Sequence, residues 1–173
     1  MTRRIAIDIE TSGLDPKAGA EIIMVCALEL HKGMQAGAAF HKLTRPTRPL
    51  ARVVEDLTGI SNSTLERSPR FADIAEDFLA FIANAELVCL DWEFDSSFLN
   101  LALANSGRPP LQPESIVDLW EKVPVEFREQ GSDGIYSYAA IEPNSLATPS
   151  EEVSRLYRAL ERFSIRLHHT RRL

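Results

Sequence analysis

The sequence predicts an α/β fold, a mixed central sheet of about five strands flanked by helices. Three observations predict it. The chain opens on a strand in which Ile5, Ile7 and Ile9 recur at every second position. Two further apolar runs follow across short turns, as in an antiparallel meander. Helical patterns then alternate with two short buried runs, the arrangement of parallel crossover units.

In the first strand, the isoleucines alternate with Ala6, Asp8 and Glu10, so both carboxylates share one face near the strand's carboxyl end. Thr11-Ser12-Gly13 supplies turn chemistry, and Asp15-Pro16-Lys17-Ala18-Gly19 reads as a loop. Glu21 to Leu30 is apolar and branched enough for a buried strand, and Lys32-Gly33 turns the chain into a third strand near Ala38 to Leu43. The run Thr44 to Pro49 is irregular and cationic, with Arg45 and Arg48 near His41, Lys42 and Arg52. It is either a solvated loop or a track along a phosphate backbone.

A short helix over Ala51 to Leu57 is stopped by Gly59. Ser68-Pro69 predicts the start of a second helix, with Phe71, Ile74, Ala75, Phe78 and Ile82 on its apolar face. Leu87 to Leu90 is a short buried strand running into Asp91 to Asp95, where another helix begins. That helix carries Phe98, Leu101 and Ala102 inward and ends near Gly107; Pro109-Pro110 breaks the chain, and Ser115 to Asp118 is the last strand. Pro124 to Ala147 has no clear period, being interrupted by Gly131, Gly134 and Pro143 and anchored by Tyr136, Tyr138 and Ile141. Thr148-Pro149-Ser150-Glu151 is a capping box for a final helix. Its apolar face is Val153, Leu156, Tyr157, Leu160 and Phe163, opposite Arg155, Arg158, Arg162 and Arg166. The arginine stripe is either a solvated face or a nucleic-acid track.

A chain of 173 residues, 45% apolar and 25% charged, suits one globular domain over 1–173. A formal charge of -6 argues against holding nucleic acid by bulk electrostatics, though not against local basic contacts. Cys26 and Cys89 lie inside apolar runs, as inert thiols of a reducing cytosol would. No apolar run approaches the roughly 20 residues of a membrane span, and Asp8 interrupts any signal-peptide apolar region. The expectation is a cytoplasmic protein without membrane association. No Gly-rich phosphate loop or Cys/His metal spacing is present, and His168 and His169 fall at the carboxyl terminus. Asp8 and Glu10 therefore carry the chemistry to explain. Either both face solvent at a strand end, or a divalent cation with oxygen ligands sits between them.

Asp8-Ile9-Glu10-Thr11-Ser12-Gly13-Leu14 resembles the first motif of the DEDD exonuclease superfamily, the DnaQ-like group of proofreading exonucleases, RNase T and oligoribonucleases. Thr58-Gly59-Ile60 resembles that family's Gly-Ile segment, and Val88 to Asp95 with Ser96-Ser97-Phe98-Leu99 its second motif. The resemblance implies a ribonuclease H-like fold and hydrolysis of terminal phosphodiester bonds from single-stranded DNA or RNA 3′ ends. It implies two Mg2+ or Mn2+ ions, with Asp8 bridging them, Glu10 on the ion that activates water and Asp95 on the second. Thr11, Gly13, Leu14, Ile60 and Phe94 would contact substrate, Leu14 and Ile60 through the terminal base.

The third motif departs from the family's pattern. Registering the last helix on Leu156-Tyr157 puts Asn144 where the family has His and Pro149 where it has Asp. Proline has no ligand atom, and an asparagine amide is no base. Leu90 and Asp91 replace a His-Asn pair, and Met24 and Cys26 replace Glu and Gly. Glu152 is the leading substitute metal ligand; Glu151, Tyr138 with Glu142, Asp91 and Asp133 are weaker ones. The sequence thus supports an exonuclease with an impaired site, or an inactive module that binds nucleic acid ends or a protein partner. A phosphohydrolase acting on small nucleotides is a third, weaker reading.

Overall fold

In the computed structural model, which describes residues 3–31, 34–113, 115–142 and 151–159, the opening alternation becomes strand β1, Arg3–Thr11. Ile5 and Ile7 are fully buried and Ile9 nearly so. Strands β2 (Ile22–His31) and β3 (Met34–Leu43) continue as the expected antiparallel meander. Strand β4 (Ala85–Cys89) lies parallel to β1 on its other edge, and β5 (Ser115–Asp118) parallel to β4. The order β3-β2-β1-β4-β5 makes one five-stranded mixed sheet with β1 at its centre.

Helices α1 (Arg52–Thr58), α2 (Asn62–Leu65) and α3 (Phe71–Ile82) bridge β3 to β4, and α4 (Trp92–Asn105) crosses from β4 to β5. The period of β1 divides the core into two layers. Ile5, Ile7 and Ile9 pack with Ile74 and Phe78 of α3 and with Phe98 and Leu99 of α4. On the opposite face, Ala6, Leu28 and Val88 pack with Ile135, Val153 and Leu156. Each fully buried apolar side chain contributes about 1.5–3 kcal/mol, so the two layers clamp β1 from both sides.

At the amino ends of the parallel strands, Glu86 ties three strands together. Its carboxylate pairs with Arg4 on β1 and accepts the Ser115 hydroxyl of β5 at 2.9 Å. Burial pushes the Glu86 carboxyl up, but Arg4 and Ser115 outweigh it and hold it below its ordinary value.

Several elements differ from the sequence reading. Strand β3 reaches back to Met34, and β4 begins at Ala85. Helix α3 starts at Phe71 rather than at Ser68-Pro69, because Asp73 Oδ2 accepts the Arg70 N–H at 2.8 Å. Ser68 instead donates its hydroxyl back to the Thr64 carbonyl, closing α2, an unexpected helix. On α4, Leu99 and Leu103 are fully buried while Leu101 is 38% exposed, so Leu101 does not point inward. The segment without a clear period forms α5 (Val125–Arg128) and α6 (Ser132–Ala139). A Cβ on Gly134 would collide with the Phe127 carbonyl, so the glycine lets these helices touch.

Helical residues 151–159 bury Val153, Leu156 and Tyr157 as expected. Asn144, Thr148, Pro149, Leu160, Arg162, Phe163, Arg166, His168 and His169 lie outside the described residues. Among the described residues, no helix is long and apolar enough to cross a membrane.

Candidate active site

Strand β1 carries Asp8 and Glu10 to the carboxyl end of the parallel strands, where α/β sheets place their ligand crevices. Across the antiparallel pair Asp8 lies opposite Cys26 and Glu10 opposite Met24. Both neighbours are buried and uncharged. Directly opposed residues share a face, so each acid stands beside a sulfur side chain instead of a compensating cation. Burial accordingly pushes the Asp8 carboxyl up to about 7, against the pull of its hydrogen bond from the Ile9 N–H, 2.8 Å long. The Glu10 charge adds to the rise at Asp8, and burial also raises Glu10.

Asp95 arrives from the first turn of α4 and is 2% exposed. Among the described residues its Oδ2 has no hydrogen-bond partner. Burial raises its carboxyl well above the ordinary range, and the charges of Asp8, Asp91 and Asp118 raise it further. Two of these neighbours act as fasteners. Asp91 Oδ1 caps α4 by accepting the Phe94 N–H at 3.0 Å. Asp118, at the end of β5, accepts the Trp92 N–H at 3.1 Å through one oxygen and the Trp120 N–H at 2.8 Å through the other. Burial raises the Asp118 carboxyl as well, with its backbone donors opposing and Asp91 reinforcing the shift. Asp118 was not singled out from sequence; its signal was an acid at the end of a parallel strand beside β4.

The turn after β1 is built tightly. The Thr11 hydroxyl donates to the Gly13 carbonyl at 2.7 Å, and a Cβ on Gly13 would stand 3.3 Å from Ala20 Cβ. Leu14 projects from it, 86% exposed. Ile60 is half-buried beside Ile23, Leu50 and Leu65, and Phe94 packs its ring 5.0 Å from Phe98. Glu152 sits on the helical segment 151–159 with both oxygens engaged, one by Arg155 and one by the Tyr136 hydroxyl at 3.2 Å. Burial raises Tyr136, and the charges of Glu152 and Asp8 do so too; Tyr136 packs in the layer of Ala6 and Val88, the face of β1 that also carries Asp8. Tyr138 packs on Phe127, and Asp133 lies exposed in the first turn of α6.

The donor set consists of carboxylate oxygens, which suit hard divalent cations. Asp95 Oδ2, buried and without a partner among the described residues, is an oxygen that a cation would satisfy. Among the described residues, no three His, Cys, Asp or Glu side chains already surround a single point.

The chain is similar to known proteins. The chain is 39% identical over 102 residues to the DNA polymerase III subunit epsilon of Rickettsia typhi, covering 59% of this chain and 44% of that one. The chain thus spans less than half the length of that relative. The nuclease domain of 3′hExo, a DEDDh family member solved with rAMP, superposes with a TM-score of 0.71 at 18% identity, covering 97% of this chain and 92% of that domain. The zinc-bound complex of E. coli exonuclease I with single-stranded DNA superposes with a TM-score of 0.73 at 14% identity, covering 91% and 39%. These likenesses make the fold ribonuclease H-like. Residues 5–147 match the RNase T exonuclease family, and the chain therefore belongs to that family, within the DnaQ-like DEDD superfamily.

Proposed function

We propose that this chain is a 3′–5′ exonuclease domain that hydrolyses the terminal phosphodiester bond of single-stranded DNA or RNA in the cytoplasm. What supports the reading is that Asp8 and Glu10 share one face at the carboxyl end of β1 and that the charge of Asp8 acts on the buried Asp95 at the start of α4. These three would hold two Mg2+ or Mn2+ ions, with Asp8 serving both, Glu10 the ion that activates water and Asp95 the second. The ions, when bound, supply the positive charge that stabilises both oxygens of an in-line displacement. The remaining work belongs to the chain. The exposed Leu14, with Ile60 and Phe94, would hold the terminal base, and the Thr11–Gly13 turn would hold the sugar and phosphate close to the acids. Glu152 would join the ions with oxygens that it shares with Arg155 and Tyr136.

The test is release of mononucleotides from a 5′-labelled oligonucleotide with Mg2+ or Mn2+, lost in Asp8→Ala. Folded protein that hydrolyses nothing with either metal overturns the reading. A second reading is favoured by the engagement of Glu152 with Arg155 and Tyr136: a silent domain that binds nucleic acid ends or a protein partner. It predicts binding that a chelator leaves unchanged and no turnover.

A further inference from the structure

None of Asp8, Glu10 or Asp95 lines a cavity of about 480 Å³ elsewhere in the molecule. Its rim carries three guanidinium groups, Arg45, Arg48 and Arg70. Its floor is apolar, with Phe71, Phe98 and Ala102 among its residues. Phe98 lies one turn along α4 from Asp95, so the cavity begins just beyond the acid site on the same helix.

The rim is a built structure. Thr44 fastens the cationic loop to β2, its N–H bonding the Ile23 carbonyl at 2.8 Å and its buried hydroxyl the Ile22 carbonyl at 2.6 Å. Glu21 holds the middle of the loop, accepting the Thr47 N–H at 2.6 Å and the Thr47 hydroxyl at 2.9 Å. The Arg45 N–H donates to the Pro69 carbonyl at 2.8 Å, which sets Arg45 beside the backbone that leads into Arg70. Arg48 donates to the Gly19 carbonyl at 2.9 Å, lying where a Cβ on residue 19 would stand.

Among the described residues, the cations of this rim outnumber the acids of the lining. Among the described residues, Arg45 and Arg48 hydrogen-bond only neutral backbone carbonyls, those of Glu66, Ala18 and Gly19. Among the described residues none of the three guanidiniums forms an ion pair. Three cations therefore face one lining carboxylate, Glu21, in a chain whose formal charge is -6. A guanidinium fork matches phosphate oxygens in pairs. Aromatic and aliphatic floors take the flat face of a base. The volume falls in the range of about 300–1,000 Å³ that accommodates compact organic ligands.

We propose that this cavity is a second nucleotide site, with the phosphate on Arg45, Arg48 and Arg70 and the base against the half-buried Phe71 and the partly exposed Leu101. The nucleotide is either free or one unit of a bound strand. The site stands apart from hydrolysis at Asp8, so its test uses binding without metal.

Calorimetric titration of the full chain in EDTA, with dAMP, 2′-deoxyadenosine, pyrophosphate and a five-nucleotide single strand as probes, decides it. The expected result is that dAMP binds, that deoxyadenosine and pyrophosphate each bind more weakly, and that R45Q/R70Q weakens dAMP at least about tenfold. L101E, which puts a carboxylate in the lining at a partly exposed position, should weaken dAMP similarly; melting temperatures show whether either variant is folded. A strand that binds more tightly than dAMP identifies the source as bound nucleic acid, and equal binding identifies a free nucleotide. No dAMP binding, binding indifferent to both variants while they remain folded, or pyrophosphate binding as tightly as dAMP overturns the assignment.

Discussion

Asp8→Asn in metal-free protein isolates the cost of keeping the acids ionised. Asp8 rises from an ordinary 3.8 to about 7 through burial. A carboxyl raised in this way holds more protons in the native state than in the unfolded chain. Its contribution to stability is therefore complete below about pH 4 and is lost as pH climbs through about 7. Each tenfold step is about 1.4 kcal/mol, so the loss approaches about 4 kcal/mol by about pH 8. That is an upper bound, because Asp8 keeps some contact with solvent. For a chain of this size it corresponds to a melting temperature lower by roughly 8–16 °C. Asn keeps the shape and can still accept the Ile9 N–H, yet it never ionises. Differential scanning fluorimetry in EDTA from about pH 4 to about pH 8 should show wild type losing stability and Asp8→Asn losing much less. The residual slope comes from Asp95 and Glu10, both also raised. At pH 8, Mn2+ at a hundred times its dissociation constant should restore about 2.7 kcal/mol to wild type and little to the variant. Parallel pH curves, or equal stabilisation of both proteins by Mn2+, would refute the reasoning.

Three further predictions follow from the same geometry. Leu14→Ala should change stability by less than about 0.5 kcal/mol, because the side chain is 86% exposed, while raising the KM for an oligonucleotide in a steady-state assay. Phe78→Ala empties a fully buried position between α3 and the sheet and should cost about 3–5 kcal/mol in urea unfolding. Asp118→Ala strips acceptors from the Trp92 and Trp120 N–H groups and should cost about 1–2 kcal/mol by the same measurement. It should also lower turnover through a displaced Asp95, an effect only partly relieved in Asp118→Asn, whose single amide oxygen can accept one of the two N–H groups.

The sheet was legible because its signals are local. The alternation at Ile5, Ile7 and Ile9 specifies a strand and the shared face of Asp8 and Glu10. Gly59, at φ 69°, stops α1 where a left-handed residue is needed. What stayed hidden depends on tertiary partners. Helix α2 is four residues long and buries only Leu65, too little for a period to show. Gly134 reads as a breaker in sequence, yet in the fold it is the point where the Phe127 carbonyl approaches α6. Leu101 and Leu99 are equally apolar, and only the docking angle of α4 buries one and exposes the other. Asp91 looked like a spare carboxylate until Phe94 supplied the N–H that it caps. The cationic loop left two readings open, and its fastening by Thr44 and Glu21 shows that it is held in place.

The parallel pairing of β1 with β4 also has a kinetic consequence. Asp8 and Asp95 belong to distant stretches of chain and meet only after the long connection through α1, α2 and α3 has closed. Such non-local pairing is the slow part of assembly, and any ion held between the two acids must wait for it. Divalent cations should therefore lengthen the lifetime of the finished molecule while leaving the speed of its formation unchanged.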